Sequence, residues 1–242
     1  MPKVSIIIPC FNEENRLTKE PFLQLLSSGI DVLLLLINDG STDNTQLLLE
    51  EIRKANSRNV AIISYSENKG KAYAVSRGME HALQHTNSTY IGYLDADLST
   101  SLDEFLQLAA LAEHEQADYI FGSRIKLLNH FITRSAVRHI CGRILTTIID
   151  LRYQLSIYDT QCGAKLFTPA IAKIITASPF KTRWLFDIEI FLRIRAANRT
   201  AKGLEVPLKR WTDPGKSKIS LLSFPLICGE YFQLVKYYKR TK

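Results

Sequence analysis

At 242 residues and 46% hydrophobic content the chain can bury a sizeable core, and one large α/β domain is expected rather than two small ones. No window approaches the roughly 18 to 20 apolar residues of a membrane span, since even Val32 to Ile37 and Leu221 to Ile227 are far shorter, so surface attachment is the only membrane association expected. The net charge of +7 divides unevenly: residues 1–120 hold 9 Lys+Arg against 17 Asp+Glu, a net of −8, and residues 121–242 hold 22 against 7, a net of +15, so a cation suits the first part and an anionic partner the second.

The chain enters an apolar stretch directly after Met1-Pro2-Lys3, without the layout of a secretory signal peptide, and a cytosolic location is expected. Lys3 to Ile8 predicts a buried strand that delivers the loop Pro9-Cys-Phe-Asn-Glu-Glu14, followed by a helix from about Glu14 to Ser28. Asp31 to Ile37 predicts a second strand, emptying into Asn38-Asp-Gly-Ser-Thr-Asp-Asn44 before a helix near Thr45 to Ala55, for which Asp43 or Asn44 is the cap. Val60 to Tyr65, Thr89 to Leu94 and Tyr119 to Gly122 predict further strands, separated by helices over Lys71 to His85 and Leu102 to Glu113.

This alternation predicts a mainly parallel central sheet with helices on both faces, whose ligands bind beyond the carboxyl ends of the strands. After residue 124 the rhythm gives way to a basic amphipathic stretch from about Leu127 to Tyr153 and then the segment Asp159 to Phe167. Helices near Pro169 to Ala177, Phe186 to Ala197 and Phe224 to Tyr238 follow, with a short strand near Leu204 to Leu208. The four cysteines form no Cys-x-x-Cys pair, so neither a zinc site nor a disulfide framework is expected. The five histidines form no ligand pattern either.

Asp95-Ala96-Asp97 places two carboxylates at the end of an apolar strand, where a turn can aim both at a hard cation such as Mg²⁺ or Mn²⁺. Such a tripeptide alone is also a common polar turn or helix cap. Its strand-end position and its companion loops favour the metal reading. Breaking a sugar–phosphate bond develops negative charge on a diphosphate, which a divalent ion stabilises. Asp39, at the end of the neighbouring strand, is placed to accept hydrogen bonds from a base or ribose.

Four segments, Ile7-Ile-Pro-Cys-Phe-Asn-Glu13, Asn38-Asp-Gly-Ser-Thr-Asp43, Asn68-Lys-Gly-Lys71 and Asp95-Ala-Asp97, together resemble glycosyltransferase family 2, whose GT-A fold is a Rossmann-like nucleotide-binding domain. Asp159-Thr-Gln-Cys-Gly-Ala-Lys-Leu-Phe167, Arg183-Trp-Leu-Phe-Asp-Ile-Glu189 and Gly215-Lys-Ser-Lys-Ile219 are similar to the dolichyl-phosphate β-glucosyltransferase branch of that family. Two features depart from the branch: Ala164 stands where Phe is usual, and the amino-terminal transmembrane anchor typical of eukaryotic members is not seen.

The resemblance implies a single glycosyltransferase domain over residues 1–242, with a nucleotide- and metal-binding half (1–124) and an acceptor half (125–242). It implies that Pro9, Phe11, Glu13, Asp39, Lys71, Asp95, Ala96, Asp97 and Lys218 bind the nucleotide sugar, and that Asp95 and Asp97 hold Mg²⁺ or Mn²⁺. Arg124 is implied at the diphosphate or acceptor phosphate. Asp159, near the sugar, and Asp187, where many members carry an acidic base, are the catalytic candidates. Ion pairing of Asp187 or Glu189 with Arg183, Arg193 or Lys181 is the structural alternative.

Arg134, Arg138 and Arg143 recur at roughly helical spacing among apolar residues, which suits either a helix on a lipid surface with guanidinium groups reaching for phosphates or an ordinary helix with a solvated basic face. The +15 balance favours phosphate contact. The function expected is inverting transfer of a hexose, glucose above all, from a UDP-sugar to a polyprenyl or dolichyl phosphate at the cytosolic membrane face, by a peripherally attached enzyme. The alternatives are a family 2 transferase acting on a glycan or other hydroxyl compound, and a non-catalytic sugar-nucleotide-binding or membrane-adaptor protein. The pI of about 9.2 invites nucleic acid, but no recognised motif accompanies it and no nucleic-acid partner is expected. The oligomeric state is not legible.

Overall fold

The structure is a computed structural model that describes residues 3–133, 136–212 and 224–238, without the side chains of residues 136–138, 141 and 224. Runs of Val, Ile and Leu lacking any polar alternation need cover on both faces. They form the centre of a seven-stranded sheet: β1 (Val4–Cys10), β2 (Val32–Asp39), β3 (Val60–Tyr65), β4 (Tyr90–Leu94) and β5 (Tyr119–Ser123), joined by β7 (Ala164–Phe167) and β8 (Gly203–Pro207). The spatial order is β3-β2-β1-β4-β7-β5-β8. All neighbours pair in parallel except β7, which runs antiparallel to both β4 and β5. Progression outward from β1 to β3 and return to β4 on the other side of β1 puts a topological switch point between β1 and β4, where open sheets of this kind receive ligands.

Helices cover both faces. On one, Phe22 of α1 (Glu20–Ser27), Leu49 and Ile52 of α2 (Thr45–Ala55) and Phe105 of α4 (Leu102–His114) pack on Ile6, Ile8, Leu34 and Leu36. On the other, α3 (Lys71–His85), α6 (Pro169–Thr176) and α7 (Phe186–Ala197) cover Ile7, Leu35, Ile37 and Tyr93. A third apolar cluster joins Ile149 and Tyr153 of α5 (Ala136–Tyr153), Ile188 and Leu192 of α7, and Leu234 of α8 (Phe224–Tyr237). Glu189 and Arg193, one turn apart in α7, form a buried ion pair. Glu189 also accepts from the Lys181 and Thr182 amides, while Arg193 donates to the carbonyls of Ile175, Ser178 and Pro179, so the α6–α7 connection is stapled to α7.

Three expectations change. The first helix starts at Glu20 rather than Glu14, because Pro21 opens it and residues 13–17 close a separate turn in which Leu17 N donates to Glu13 O (2.8 Å). The stretch Leu127 to Tyr153 is not one amphipathic unit. Phe131–Thr133 form a strand, β6, paired in parallel with β9 (Arg210–Thr212), and α5 begins only at Ala136. Among the described side chains of α5, Ile140, Ile144 and Leu151 are exposed, whereas Arg143 turns inward, donating to Tyr158 O (2.8 Å) and lying over the Tyr158 ring. Third, Asp159 to Phe167 supplies the strand β7, which no periodicity announced. Among the described residues no helix is long and apolar enough to cross a membrane.

The strand β7 is the wedge between the two parts of the sheet. Leu166 lies opposite Gly92 on β4 and Ile120 on β5 and is fully buried. Leu166→Ala is expected to cost about 2–5 kcal/mol, read as a lower urea midpoint at unchanged slope.

Candidate active site

The loops after β1 and β2 are stitched together by short polar side chains. Asn12, held at φ +52°, accepts the Thr42 amide (2.9 Å) and donates its own amide to Ser41 Oγ (3.1 Å). The Glu13 amide donates to Thr45 Oγ1 (2.8 Å) and the Glu14 amide to Asp43 Oδ2 (3.1 Å). Asp43 also accepts the Thr45 amide (3.0 Å), so it, and not the side chain of Asn44, caps α2. Burial pushes the Asp43 carboxyl up, but the Thr45 and Glu14 hydrogen bonds outweigh it and leave the group below its ordinary value. Pro9 ends up within β1, Phe11 directly after it, and Glu13 buried beside Arg16, with Arg16 Nε 3.5 Å from its carboxylate.

Asp39 is the last residue of β2 and is only 2% exposed. Its carboxylate accepts the amides of Lys69 (2.9 Å) and Gly70 (2.7 Å) and the Asn68 side-chain amide (3.1 Å). Asp39, expected to meet a base or ribose, also shapes the third loop, residues 68–70.

Asp95 and Asp97 stand just beyond β4, at the switch point, with Ala96 between them turned into the core. The Asp95 amide donates to Gly163 O (3.1 Å), and its carboxylate lies so close over Gly163 that a Cβ there would overlap it. Lys71 Nζ pairs with Asp95 Oδ1 at 2.6 Å. Burial alone would lower the pKa of Lys71, but Asp95, then Asp187 and Asp97, more than offset this and raise it above its ordinary value. The ammonium also lies over the Tyr93 and Phe186 rings. Asp97 pairs with the Arg16 guanidinium and accepts from Ser99 N (3.0 Å) and Oγ (2.8 Å). Two adjacent carboxylates suit a hard divalent cation. Among the described residues no group of three or more His, Cys, Asp or Glu side chains is placed to hold an ion.

The two catalytic candidates are both engaged. Arg124 grips Asp159 in a bidentate pair, Nε to Oδ2 at 2.7 Å and Nη2 to Oδ1 at 2.8 Å, and its guanidinium lies over Trp211. Burial works against the charge of Arg124, yet Asp159 raises its pKa overall. The amides of Tyr158 and Asp159 in turn donate to Glu205 of β8 (2.8 and 2.7 Å). Asp187 is buried, ion-paired with the fully buried Lys165 and accepting from the Tyr93 hydroxyl. Lys165 donates further to Cys162 O (2.6 Å). Burial, then Asp159, pushes the Cys162 thiol up to about 12, so it is a neutral packing group.

The structure thus brings together Asp39, Lys71, Asp95, Asp97, Arg124, Asp159 and Asp187 along one edge of the sheet. Arg134 and Lys218 lie outside the described residues, and of Arg138 only the backbone, in α5, is described. Sequence reasoning missed Arg16, Tyr93, Gly163, Lys165 and Glu205, since each is a common residue type whose role depends on a neighbour distant in sequence. The expected pairing of Glu189 with Arg193 is present, whereas Arg183 contacts Asn68 rather than Asp187.

Residues 5–175 match the family model described as glycosyl transferase family 2. The chain is 32% identical to the dolichyl-phosphate beta-glucosyltransferase of Drosophila melanogaster over 237 residues, which cover 90% of this chain and 69% of the relative. It is 31% identical to an uncharacterized protein of Methanocaldococcus jannaschii, covering 82% of this chain and 84% of that one. Among solved structures, glucosyl-3-phosphoglycerate synthase from Mycobacterium tuberculosis, in complex with Mn²⁺, UDP and phosphoglyceric acid, superposes with a TM-score of 0.70 at 16% identity, over 100% of this chain and 80% of that one, a likeness of fold. The chain belongs to glycosyl transferase family 2 and is a nucleotide-sugar-dependent glycosyltransferase built on the GT-A fold.

Proposed function

We propose that this chain transfers glucose, with inversion, from UDP-glucose to a polyprenyl phosphate of the dolichyl type, as a peripheral enzyme at the cytosolic membrane face. The observation that carries the choice of acceptor is the engagement of both candidate bases: Asp159 is bound bidentately by Arg124 and Asp187 is buried against Lys165. A hydroxyl acceptor needs a group to take its proton. A phosphate monoester is already anionic near neutral pH, with a second pKa near 6, and attacks once it is oriented. The name of the Drosophila relative supports the same acceptor class.

On this reading Asp95 and Asp97 hold Mg²⁺ or Mn²⁺, an assignment supported by their paired strand-end placement and by the Mn²⁺ and UDP present in the mycobacterial synthase. When bound, the ion supplies Lewis-acid stabilisation of the charge that develops on the departing diphosphate. The chain's own groups do the rest. Pro9, Phe11, Glu13 and the Asp39-bound loop form the nucleotide seat, Lys71 adds a cation beside the diphosphate, and Lys218 joins it there. Arg124, with Arg134 and Arg138, receives the acceptor phosphate, and Asp159 presets the plane of the Arg124 guanidinium, a positioning role rather than that of a base. The exposed apolar residues of α5 and the +15 balance of residues 121–242 support the peripheral seat on an anionic lipid surface.

Incubation of the purified protein with UDP-glucose, Mn²⁺ and a short polyprenyl phosphate is expected to yield the β-linked glycolipid and UDP, with turnover in Asp97→Ala lowered by about 100-fold or more. Absence of glycolipid with glucose and other hexose donors would overturn the reading. Asp187→Asn leaves Lys165 buried without its counter-ion and is expected to cost about 3 kcal/mol of stability while turnover stays within about tenfold. Abolished turnover at an unchanged melting temperature would instead identify Asp187 as a base and favour a hydroxyl acceptor.

A further inference from the structure

Glu230 of α8 stands at the start of a chain of contacts that reaches the nucleotide loop. Its Oε1 accepts the Arg183 amide (2.9 Å), and its Oε2 accepts the amides of Trp184 and Leu185 (2.8 Å each). Leu185 is the N-cap of α7, so these are amides around a helix start that lack intrahelical partners. A carboxylate from a different helix supplies the acceptors, in charge-assisted bonds.

The backbone fixed in this way carries the Arg183 side chain, which is exposed and lies across the third loop of the site. Gly70 sits at φ +95°, a backbone conformation that favours glycine, and a Cβ there would come 2.5 Å from Arg183 Nε, so the Arg183 side chain lies directly against this position. Arg183 Nη2 donates to Asn68 Oδ1, and Asn68 Nδ2 donates to the carboxylate (3.1 Å) and carbonyl (3.2 Å) of Asp39. One face of the 68–70 loop is therefore held by Asp39 and the other by Arg183. Helix α8 is itself anchored in the acceptor half, with Leu234 in the cluster that includes Ile149 and Tyr153, and the Tyr153 hydroxyl donating to Tyr238 O (3.2 Å).

We propose that Glu230 is a positioning residue for donor binding: through the Arg183–Leu185 turn and the Arg183 guanidinium it fixes the Asn68–Gly70 loop against Asp39, so that a helix of the acceptor half sets affinity for the nucleotide. This rests on the reading that the site takes a UDP-sugar.

The test is a double-mutant cycle on UDP affinity, measured calorimetrically with Mn²⁺ for the unsubstituted protein, Glu230→Gln, Arg183→Ala and the pair. Glu230→Gln keeps the shape but turns an amide donor toward backbone donors. Each single change is expected to weaken UDP about fivefold, and the pair no more than Arg183→Ala alone. A merely structural cap would lower the melting temperature without this non-additivity. UDP affinity unchanged in Glu230→Gln, or losses that multiply in the pair, overturns the proposal. Should Glu230→Gln fail to fold, the exposed Arg183→Ala still decides: unchanged UDP affinity in it overturns the proposal, and about fivefold weakening supports it. Failure of the unsubstituted protein to bind UDP at all overturns the donor reading and this proposal together, whereas binding that the variants leave intact overturns this proposal alone.

Discussion

The site depends on how two aspartates, one residue apart at the end of one strand, are each paired with a cation. Asp95 and Asp97 repel each other, and the chain answers with a separate cation for each: Lys71 from the start of α3 on Asp95, and Arg16 from the loop after β1 on Asp97. The compensation draws on elements far apart in sequence, and their meeting at the β1/β4 switch point follows from the strand order. Gly163, just before β7, leaves the space that the Asp95 carboxylate occupies. A side chain there would dislodge the carboxylate, so the antiparallel strand that closes the sheet also shapes the acidic edge.

Behind this edge the charges continue to alternate into the core. Lys71 faces Tyr93 and Phe186, the Tyr93 hydroxyl donates to Asp187, and Asp187 pairs with Lys165, whose ammonium is buried under the site. Burial, then Asp187, holds the Tyr93 hydroxyl well above its usual range, so it stays a donor. Buried charges of this kind add little net stability relative to apolar packing. What they supply is orientation: each carboxylate facing the cleft has its direction set by a partner behind it, the condition for electrostatic preorganisation. The Arg124–Asp159 pair is oriented in the same way, with Glu205 holding the Asp159 backbone.

Much of the sheet was legible because its strands are long, apolar and punctuated by polar turns; the runs starting at Lys3, Asp31, Val60, Thr89 and Tyr119 all became strands. The strand β7 was not, since its four residues include a lysine, which argues against a buried strand until Asp187 is known to receive it. The acidic edge was legible from Asp95 and Asp97, and the loop Asn68 to Lys71 from the family resemblance. Their supports were hidden: nothing local marks Arg16 as the partner of Asp97, or Glu230 as the acceptor for three amides 45 to 47 residues away. Side chains acting across long sequence separations leave no periodic trace. The inward turn of Arg143 was hidden for a related reason, since nothing local marks Tyr158 as its partner.

A site with two aspartates, each balanced by the protein's own cation, should bind a divalent ion firmly only when a diphosphate brings further oxygen ligands. Linkage then requires the ion and the nucleotide to tighten each other by the same factor. Electron paramagnetic resonance titration of Mn²⁺, with and without saturating UDP, measures this directly. Such coupling strengthens Mn²⁺ binding at least about tenfold when UDP is present. Equal Mn²⁺ affinity in the presence and absence of UDP would contradict it.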